Sequence, residues 1–278
     1  MTLATSALID HFLAHAPWAV ASASMAQAVT ERGPITGTAV ARAKKRRKPF
    51  LLDLYSTALG KKYVMAITGI ALIGFVVAHM VGNLKMYLGE EDFNHYAEFL
   101  RELLVPIAPR TFVLWLMRIG LIGAFALHIH AAYGLTVMNH RARGVKYQSE
   151  RDYVVANFAS RTMRWTGIIV GLFLLWHLAD LTWGTVTAVG TDGKFVRGHA
   201  YDNVALSLDR IPVAALYIVA NIALGIHLFH GTWSLFQSIG WNNPRFNQWR
   251  KGLAAGLATV VVVGNVSFPI AVLAGIVG

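Results

Sequence analysis

Five apolar runs dominate this sequence, and each is long enough to cross a bilayer core of about 30 Å, which takes about 20 helical residues. Hydrophobic residues make up 55% of the 278 positions, whereas charged residues make up 14%, well below the roughly 25% that is usual in soluble domains. The chain is therefore predicted to be an all-α membrane protein with five transmembrane helices. These spans lie near 62–88, 112–139, 161–189, 212–238 and 252–277.

The charged residues between the runs predict the orientation of the chain. Basic residues precede the first run, in RAKKRRK (42–48), and they surround the second and fourth connections. The first connection, which begins with GEED (89–92), and the third have no basic excess. Because lysine and arginine in loops mark the cytoplasmic side, the N-terminus is predicted to be cytoplasmic. This topology explains the net charge of +11, with membrane lipid rather than nucleic acid as the expected partner of the basic run.

The chain is predicted to have two parts. Residues 1–48, rich in Ala, Ser, Thr and Gly, are expected to form a mobile cytoplasmic extension, and 49–278 to form the transmembrane domain. Segment 94–104 has helical spacing of its apolar residues and is expected to lie along the outer membrane interface. Cysteine is absent, which excludes disulfides and thiolate metal sites within the chain. We identify no internal repeat in the sequence.

Six histidines lie inside the apolar runs, although ionisable side chains at membrane depth are costly and usually functional. The first four runs each contain at least one, and the fifth contains none. A single buried histidine is compatible with a packing role, but that role does not explain one in each of four spans. The six are His79, His128, His130, His177, His227 and His230.

The depths of these histidines sort them into two pairs. His79 and His177 both lie about 25 Å along runs that lead outward, at about 1.5 Å per helical residue. His130 and His227 lie toward the cytoplasmic side of runs that lead inward. Two imidazoles at one depth, from two helices of a bundle, are what a six-coordinate b haem requires, whereas zinc would need further ligands. The pattern predicts two bis-histidine b haems.

Two spans offer a choice of ligand. His128 and His130 are about 200° apart around a helix, so only one of them can face a given haem. Gly134 lies one turn after His130, and a glycine also lies one turn after His227, which would leave room for a flat macrocycle. We favour His130 and His227, and we assign hydrogen-bonding roles to His128 and His230, although His230 is only about 60° from His227.

Four pieces of the sequence resemble the diheme cytochrome b membrane anchor of succinate:quinone oxidoreductases, the b558 type in which one chain carries five helices and two haems. The resemblance covers roughly 55–278 and implies a four-helix bundle around the haems with a fifth, peripheral helix. It assigns His79 and His177 to the distal haem, and His130 and His227 to the proximal haem. The pieces are AHMVGN (78–83), HAAYG (130–134), RWTGIIVGLFLLWH (164–177) and HLFHGTWSLF (227–236).

The resemblance implies electron transfer in the respiratory chain, at its link to the tricarboxylic acid cycle. In such complexes a flavoprotein subunit oxidises succinate, and an iron–sulfur subunit carries the electrons to the membrane anchor. The anchor holds two haem b and part of a quinone site, with menaquinone as the expected acceptor. This chain would be a subunit of succinate dehydrogenase without dicarboxylate chemistry of its own, located in the inner membrane of a bacterium, with a trimer of complexes as a further expectation.

Three other polar residues are candidates for contacts with haem propionates or quinone. Arg164 begins the third span on the cytoplasmic side, Arg118 lies toward the outside, and Asp180 follows His177 by about one turn. An arginine that extends to the membrane surface, or an acidic residue at a helix end, explains each of them without a ligand.

The sequence is also compatible with two other functions. A diheme cytochrome b of another quinone-linked enzyme, such as a hydrogenase or a formate dehydrogenase, would have the same histidine pairs. A haem-free transporter with histidine proton relays is the other, and a reduced-minus-oxidised visible spectrum distinguishes it from a cytochrome.

Overall fold

The computed structural model describes residues 49–142, 158–192, 194–241 and 243–278, with their side chains except at 158–161. The predicted extension 1–48 lies outside the described residues. Within them the chain forms nine α-helices, in agreement with the all-α prediction. They are α1 (Phe50–Ser56), α2 (Ala58–Asn83), α3 (Glu90–Glu102), α4 (Phe112–Arg141), α5 (Phe158–His177), α6 (Thr185–Gly190), α7 (Ala200–Leu208), α8 (Ile211–Ser238) and α9 (Asn247–Leu273).

Five of these helices, α2, α4, α5, α8 and α9, are long and apolar enough to cross a membrane, which confirms the five predicted spans. A 3₁₀ turn, Leu84–Leu88, extends α2, and a π-helical turn, Leu178–Thr182, extends α5. Two predicted bounds differ from the structure. The third span ends as an α-helix at His177 rather than continuing to 189, and the fifth begins at Asn247.

Local sequence signals explain several helix ends. The side chain of Thr57 accepts a hydrogen bond from the backbone N–H of Gly60 at 2.9 Å and so caps the start of α2. Pro212 occupies the first turn of α8, where a backbone N–H has no helical partner. Gly184 has a φ of 72°, a left-handed conformation that favours glycine, and it separates the π-helical turn from α6. The left-handed conformation of Gly184 therefore explains why the helical segment that contains α5 does not continue into α6.

The spanning helices form two pairs and an additional helix. Helix α2 packs along α4, and α5 packs along α8, while α8 also contacts α2. In the part of the chain that the structure describes, α4 makes few close backbone approaches to α5 or α8, so the two pairs are separated there. Helix α9 packs against α8 and, less extensively, α2. This arrangement fits the predicted bundle with a fifth, peripheral helix.

Buried apolar side chains form two clusters along α8. One surrounds Tyr217 and Phe268 and includes residues of α3, α7 and α9. The other lies between α8 and α9, around Val261. The amides of Asn221 and Asn265 also form a hydrogen bond of 2.9 Å between these two helices. Helix α9 therefore braces α8, the helix that carries His227 and His230.

The outward surface of the spanning helices is apolar. Trp165 is 70% exposed, Leu172 is 64% exposed and Ile119 is 63% exposed. Exposed apolar surface on this scale marks contact with a membrane or a partner rather than with water. Together with the five spans, it supports a multi-pass membrane protein.

The amphipathic segment predicted over 94–104 belongs to α3, which begins at Glu90 and ends at Glu102. Phe93 is its buried residue. The Arg110 guanidinium, and then that of Arg101, donate hydrogen bonds to Glu98 and hold the pKa of its carboxyl below the usual value. These ion pairs connect α3 to the turn that leads into α4.

Candidate functional site

His79 on α2 and His177 at the end of α5 face each other between the two helix pairs. Their ring centres are 6.0 Å apart, and the ring planes meet at 82°. A metal held between one nitrogen of each ring needs about 6 Å between the ring centres, since each bond is about 2 Å and each centre lies about 1 Å behind its nitrogen. The structure thus brings the predicted outer pair together at a separation that suits two ligands of one metal.

The other ring nitrogen of His177 is held by Tyr217. Its Nδ1 lies 3.2 Å from the Tyr217 hydroxyl, and that hydroxyl donates its hydrogen to Asp180 at 2.8 Å. A hydroxyl has one hydrogen, so the Tyr217 oxygen must accept the Nδ1–H of His177. This bond fixes the tautomer of His177 and leaves its Nε2 lone pair for a metal.

His79 has a simpler environment. Its Nδ1 lies 3.1 Å from the side-chain amide of Asn83, one turn later on α2. The amide offers an oxygen acceptor for the Nδ1–H when it is turned over. The ring of Phe75, one turn earlier, lies 5.4 Å from the His79 ring centre and limits its rotation. His79 is therefore also held through Nδ1 with Nε2 directed elsewhere.

The structure places His130 against α1 rather than against α8. Its Nδ1 lies 2.5 Å from the Tyr55 hydroxyl, and the two rings stack with their centres 5.7 Å apart. The ammonium of Lys61 lies over the Tyr55 ring, 4.1 Å from its centre. A Cβ added at Gly134 would lie 3.0 Å from the Lys61 side chain, so the space beside this glycine is already occupied. The neighbour of Gly134 is thus the end of a flexible side chain, and His130 remains a predicted ligand.

His128, on the opposite side of α4, faces α2. Its Nδ1 lies 3.1 Å from the Thr68 hydroxyl, which donates its own hydrogen to the backbone carbonyl of Val64 at 2.7 Å. The Nδ1–H of His128 therefore points to the Thr68 oxygen. The bonds leave Nε2 of His128 unshared on the side away from α2.

His227 on α8 has the same environment as His128, but with partners from α5. Its Nδ1 lies 3.4 Å from the Thr166 hydroxyl, which donates its own hydrogen to the backbone carbonyl of Met163 at 3.0 Å. His128 and His227 therefore share one kind of environment, whereas the sequence pattern favours His130 as the partner of His227.

The matching environments arise from a repeat. The pattern M-x2-T-G-I-x4-F-x3-H runs from Met65 to His79 in α2, and it runs again from Met163 to His177 in α5. It is visible in the sequence, and we did not identify it there because threonine, glycine and phenylalanine are common in membrane helices. The repeat places a Thr-Gly step beside one histidine of a neighbouring helix and carries another histidine at its end.

The glycines of the repeat allow the close approach of these rings. A Cβ at Gly69 would lie 3.6 Å from Cε1 of His128. A Cβ at Gly167 would lie 3.3 Å from Cε1 of His227, which is tighter than ordinary contact. A larger residue at Gly167 would therefore press on the His227 ring, whereas a Cβ at Gly69 would be in ordinary contact with His128.

Asp180 is fully buried and accepts four side-chain hydrogen bonds. Thr187 and Ser207 each donate to it at 2.6 Å, Tyr217 donates at 2.8 Å, and Arg210 donates at 3.1 Å. The position of Asp180 about one turn after His177 predicts an interfacial acid or a contact to a haem group. The structure instead makes Asp180 the centre of a network that joins α6, α7 and α8 to the π-helical turn after His177, and π-helical turns often occur at functional sites.

This network predicts a large loss of stability for Arg210→Leu. Asp180 would remain buried without its only positive partner in the network, at a cost of about 3 kcal/mol in the free energy of unfolding. We expect a lower melting temperature in detergent, measured by circular dichroism. Arg197→Leu, at an exposed position of the third connection, is the control and should melt like the wild type. Equal melting of the two variants would contradict a stabilising role of the ion pair.

The two predicted arginine sites lie apart from these histidine pairs. The Arg118 guanidinium lies 5.1 Å from the ring centre of Trp115 on the same helix. A guanidinium nitrogen of Arg164 lies 3.5 Å from Nε2 of His140, and both residues are exposed. Each arginine thus has a local partner at the end of its helix.

The described geometry agrees with a comparison to a known protein. The chain is 27% identical, over 172 residues, to the succinate dehydrogenase cytochrome b558 subunit of Bacillus subtilis (strain 168). The match covers 61% of this chain and 74% of the relative. The chain is a distant relative of succinate dehydrogenase cytochrome b subunits. No family model and no solved structure matches the chain. This similarity agrees with the resemblance of the four sequence pieces.

Proposed function

We propose that this chain is the membrane anchor and electron-transfer subunit of a succinate:quinone oxidoreductase, and that it holds two b haems. His79 and His177 are the axial ligands of the outer, distal haem. His128 and His227 are the axial ligands of the inner, proximal haem, with His130 as the ligand that the sequence resemblance favours instead. The outer and inner sides follow from the positive-inside rule.

One observation carries the proposal. Each of the four histidines is engaged through Nδ1 by a neighbouring side chain, and each pair takes one ring from either helix pair. Ligating imidazoles typically donate their second N–H to such a partner, which fixes the tautomer and directs Nε2 to the metal. Hydroxyl oxygens can accept this hydrogen at His128, His177 and His227. At His79 the amide nitrogen of Asn83 faces Nδ1, so the Asn83 amide must turn over before its oxygen can accept. A haem-free proton relay gives no reason for four rings to share this arrangement.

The residues also fit a haem rather than a bare metal ion. Each pair supplies two imidazoles, which is the axial ligand set of a six-coordinate haem, and too few ligands for zinc. The separation between α4 and the second helix pair supports a planar group between them. When bound, the haems supply one-electron chemistry, while the protein's side chains set their position and ligand strength.

The remaining parts of the proposal follow from the relative and the sequence. A flavoprotein and an iron–sulfur subunit are the expected partners on the cytoplasmic side, with quinone, and specifically menaquinone, as the membrane substrate. The inner membrane of a bacterium is the proposed location, and a trimer of complexes is the proposed assembly. Arg118 and Arg164 each lie in the second turn of their helices, which run in opposite directions, and each is proposed to contact a propionate or a quinone once its present partner is displaced.

The test is to isolate the complex from native membranes. We expect a b-type reduced-minus-oxidised spectrum, two haems per chain and succinate-linked reduction of menaquinone. Co-purification of a flavoprotein and a ferredoxin-like subunit separates this function from that of another quinone-linked cytochrome. The absence of any b-type band would reject the proposal.

The angle between the outer rings predicts a spectroscopic property. The planes of His79 and His177 are 82° apart, and phenylalanines one turn earlier limit the rotation of both rings. Nearly perpendicular axial imidazoles give an oxidised low-spin haem a strongly anisotropic EPR signal. We expect such a signal from the oxidised complex, and we expect His79→Ala to abolish it. An ordinary rhombic signal from the outer haem would contradict this ring geometry.

A further inference from the structure

We propose that Tyr217 and Asp180 are positioning residues that set the tautomer and the donor strength of His177, and thereby the redox potential of the haem that His177 binds. The inference rests on the proposed function for the presence of a haem. It goes beyond that function because it assigns a role to two residues that contact neither substrate nor iron.

The orientation of the Tyr217 hydroxyl is determined by what surrounds it. Asp180 is fully buried and carries a charge balanced by Arg210, with the nearest guanidinium nitrogen at 3.1 Å. An ionised carboxylate can only accept hydrogen bonds, so Tyr217 must donate to it. The Tyr217 oxygen then has only lone pairs to offer His177, and the Nδ1–H of His177 fills that position at 3.2 Å.

The surrounding packing keeps this chain of bonds in place. Tyr217 is 7% exposed and lies in the apolar cluster at the start of α8. The ring of Phe173 lies 5.0 Å from the Tyr217 ring centre and 5.8 Å from the His177 ring centre. Because one aromatic ring borders both partners, neither has room to turn away without disturbing the cluster.

The other three proposed ligands have neutral partners. Nδ1 of His79 meets the Asn83 amide. Nδ1 of His128 meets the Thr68 hydroxyl, and Nδ1 of His227 meets the corresponding hydroxyl of α5. Among the four, His177 is the one whose partner passes its own hydrogen to a carboxylate. The two haem sites therefore differ in what lies beyond the hydroxyl. At the outer site the Tyr217 hydroxyl donates to a carboxylate, whereas at the inner site the threonine hydroxyls donate to backbone carbonyls.

This difference has a predictable electronic effect. A ligand N–H that donates to an oxygen polarised by a carboxylate makes the opposite nitrogen a stronger electron donor. A stronger axial donor stabilises oxidised iron relative to reduced iron, and so lowers the reduction potential. Arg210 reduces the effect without cancelling it, because its guanidinium lies beside the carboxylate and not beside the imidazole.

The test is a potentiometric titration of the intact complex that carries Tyr217→Phe, followed by visible and EPR spectroscopy. The phenylalanine keeps the ring in the apolar cluster and removes only the hydroxyl. We expect the potential of one haem to become more positive, its EPR signal to shift, the other haem to stay unchanged and the haem content to stay at two per chain. Asp180→Asn, which keeps the shape and removes the charge, should shift the same haem in the same direction by less.

Tyr87→Phe is the matched control, since this hydroxyl donates its hydrogen to Ser267 at 2.7 Å rather than to a candidate ligand. It should change neither potential. Unchanged potentials in Tyr217→Phe, or equal shifts of both haems, would overturn the inference. If Tyr217→Phe loses a haem, Asp180→Asn decides, because a raised potential supports the inference and an unchanged one overturns it. Failure of the proposed function is a separate result, seen as a wild-type complex without two b-type haems.

Discussion

His177→Ala removes about half of the haem from the purified complex and leaves the inner haem in place. The reason is that a six-coordinate haem depends on both axial imidazoles, and the outer site has no other histidine ring within contact of His79 among the described residues. Haem per chain, measured from the spectrum of the pyridine adduct, should fall from two to one. The signal that remains should keep the potential of the inner haem.

The control for this experiment is His95→Ala, an exposed histidine on α3. It should retain both haems, since it lies outside the spanning helices. Full haem content in His177→Ala would contradict the assignment of the outer pair. Loss of both haems would show that the two sites do not bind independently.

The second large effect distinguishes the two histidines of α4. We expect His128→Ala to lose the inner haem and to keep the outer one, because Thr68 orients His128 in the way that Thr166 orients His227. We expect His130→Ala to retain both haems, because His130 hydrogen bonds and stacks with Tyr55 on α1. Haem stoichiometry and the two potentials are again the measurements.

The opposite result is equally informative. If His130→Ala loses the inner haem and His128→Ala does not, then the resemblance of HAAYG to the known motif identifies the ligand, and the Thr68 contact does not. Thr68→Val provides an independent check on the same site. It keeps the size of the side chain, removes the acceptor for the His128 Nδ1–H, and should shift the inner haem alone.

The spanning helices could be predicted from the sequence because their signal is local. Each run is apolar over the full thickness of a bilayer, and His79 and His177 fall late in runs of the same direction. The end of the third span could not be predicted in this way. Hydropathy continues past Asp180, whereas the chain turns at Gly184, and the buried acid is stabilised by partners from three later helices.

The choice between His128 and His130 depends on contacts that a single helix does not encode. Helical periodicity places them on different faces, but it does not say which face meets α2. The sequence does not show that the Lys61 side chain lies beside Gly134, because that contact joins two different helices. The Thr-Gly steps of the repeat were the sequence signal for the alternative, since a threonine oxygen beside a glycine can accept an imidazole N–H from a neighbouring helix.

The division of each ligand pair between α2–α4 and α5–α8 bears on how the protein is made. The outer ligands are both present only after the third long helix has entered the bilayer, and the inner ligands only after the fourth. Tyr217, which orients His177, also belongs to that fourth helix. Under the proposed assignment, a nascent chain therefore has a complete ligand pair for either haem only when most of its translation is finished, so we expect haem to bind late in biogenesis.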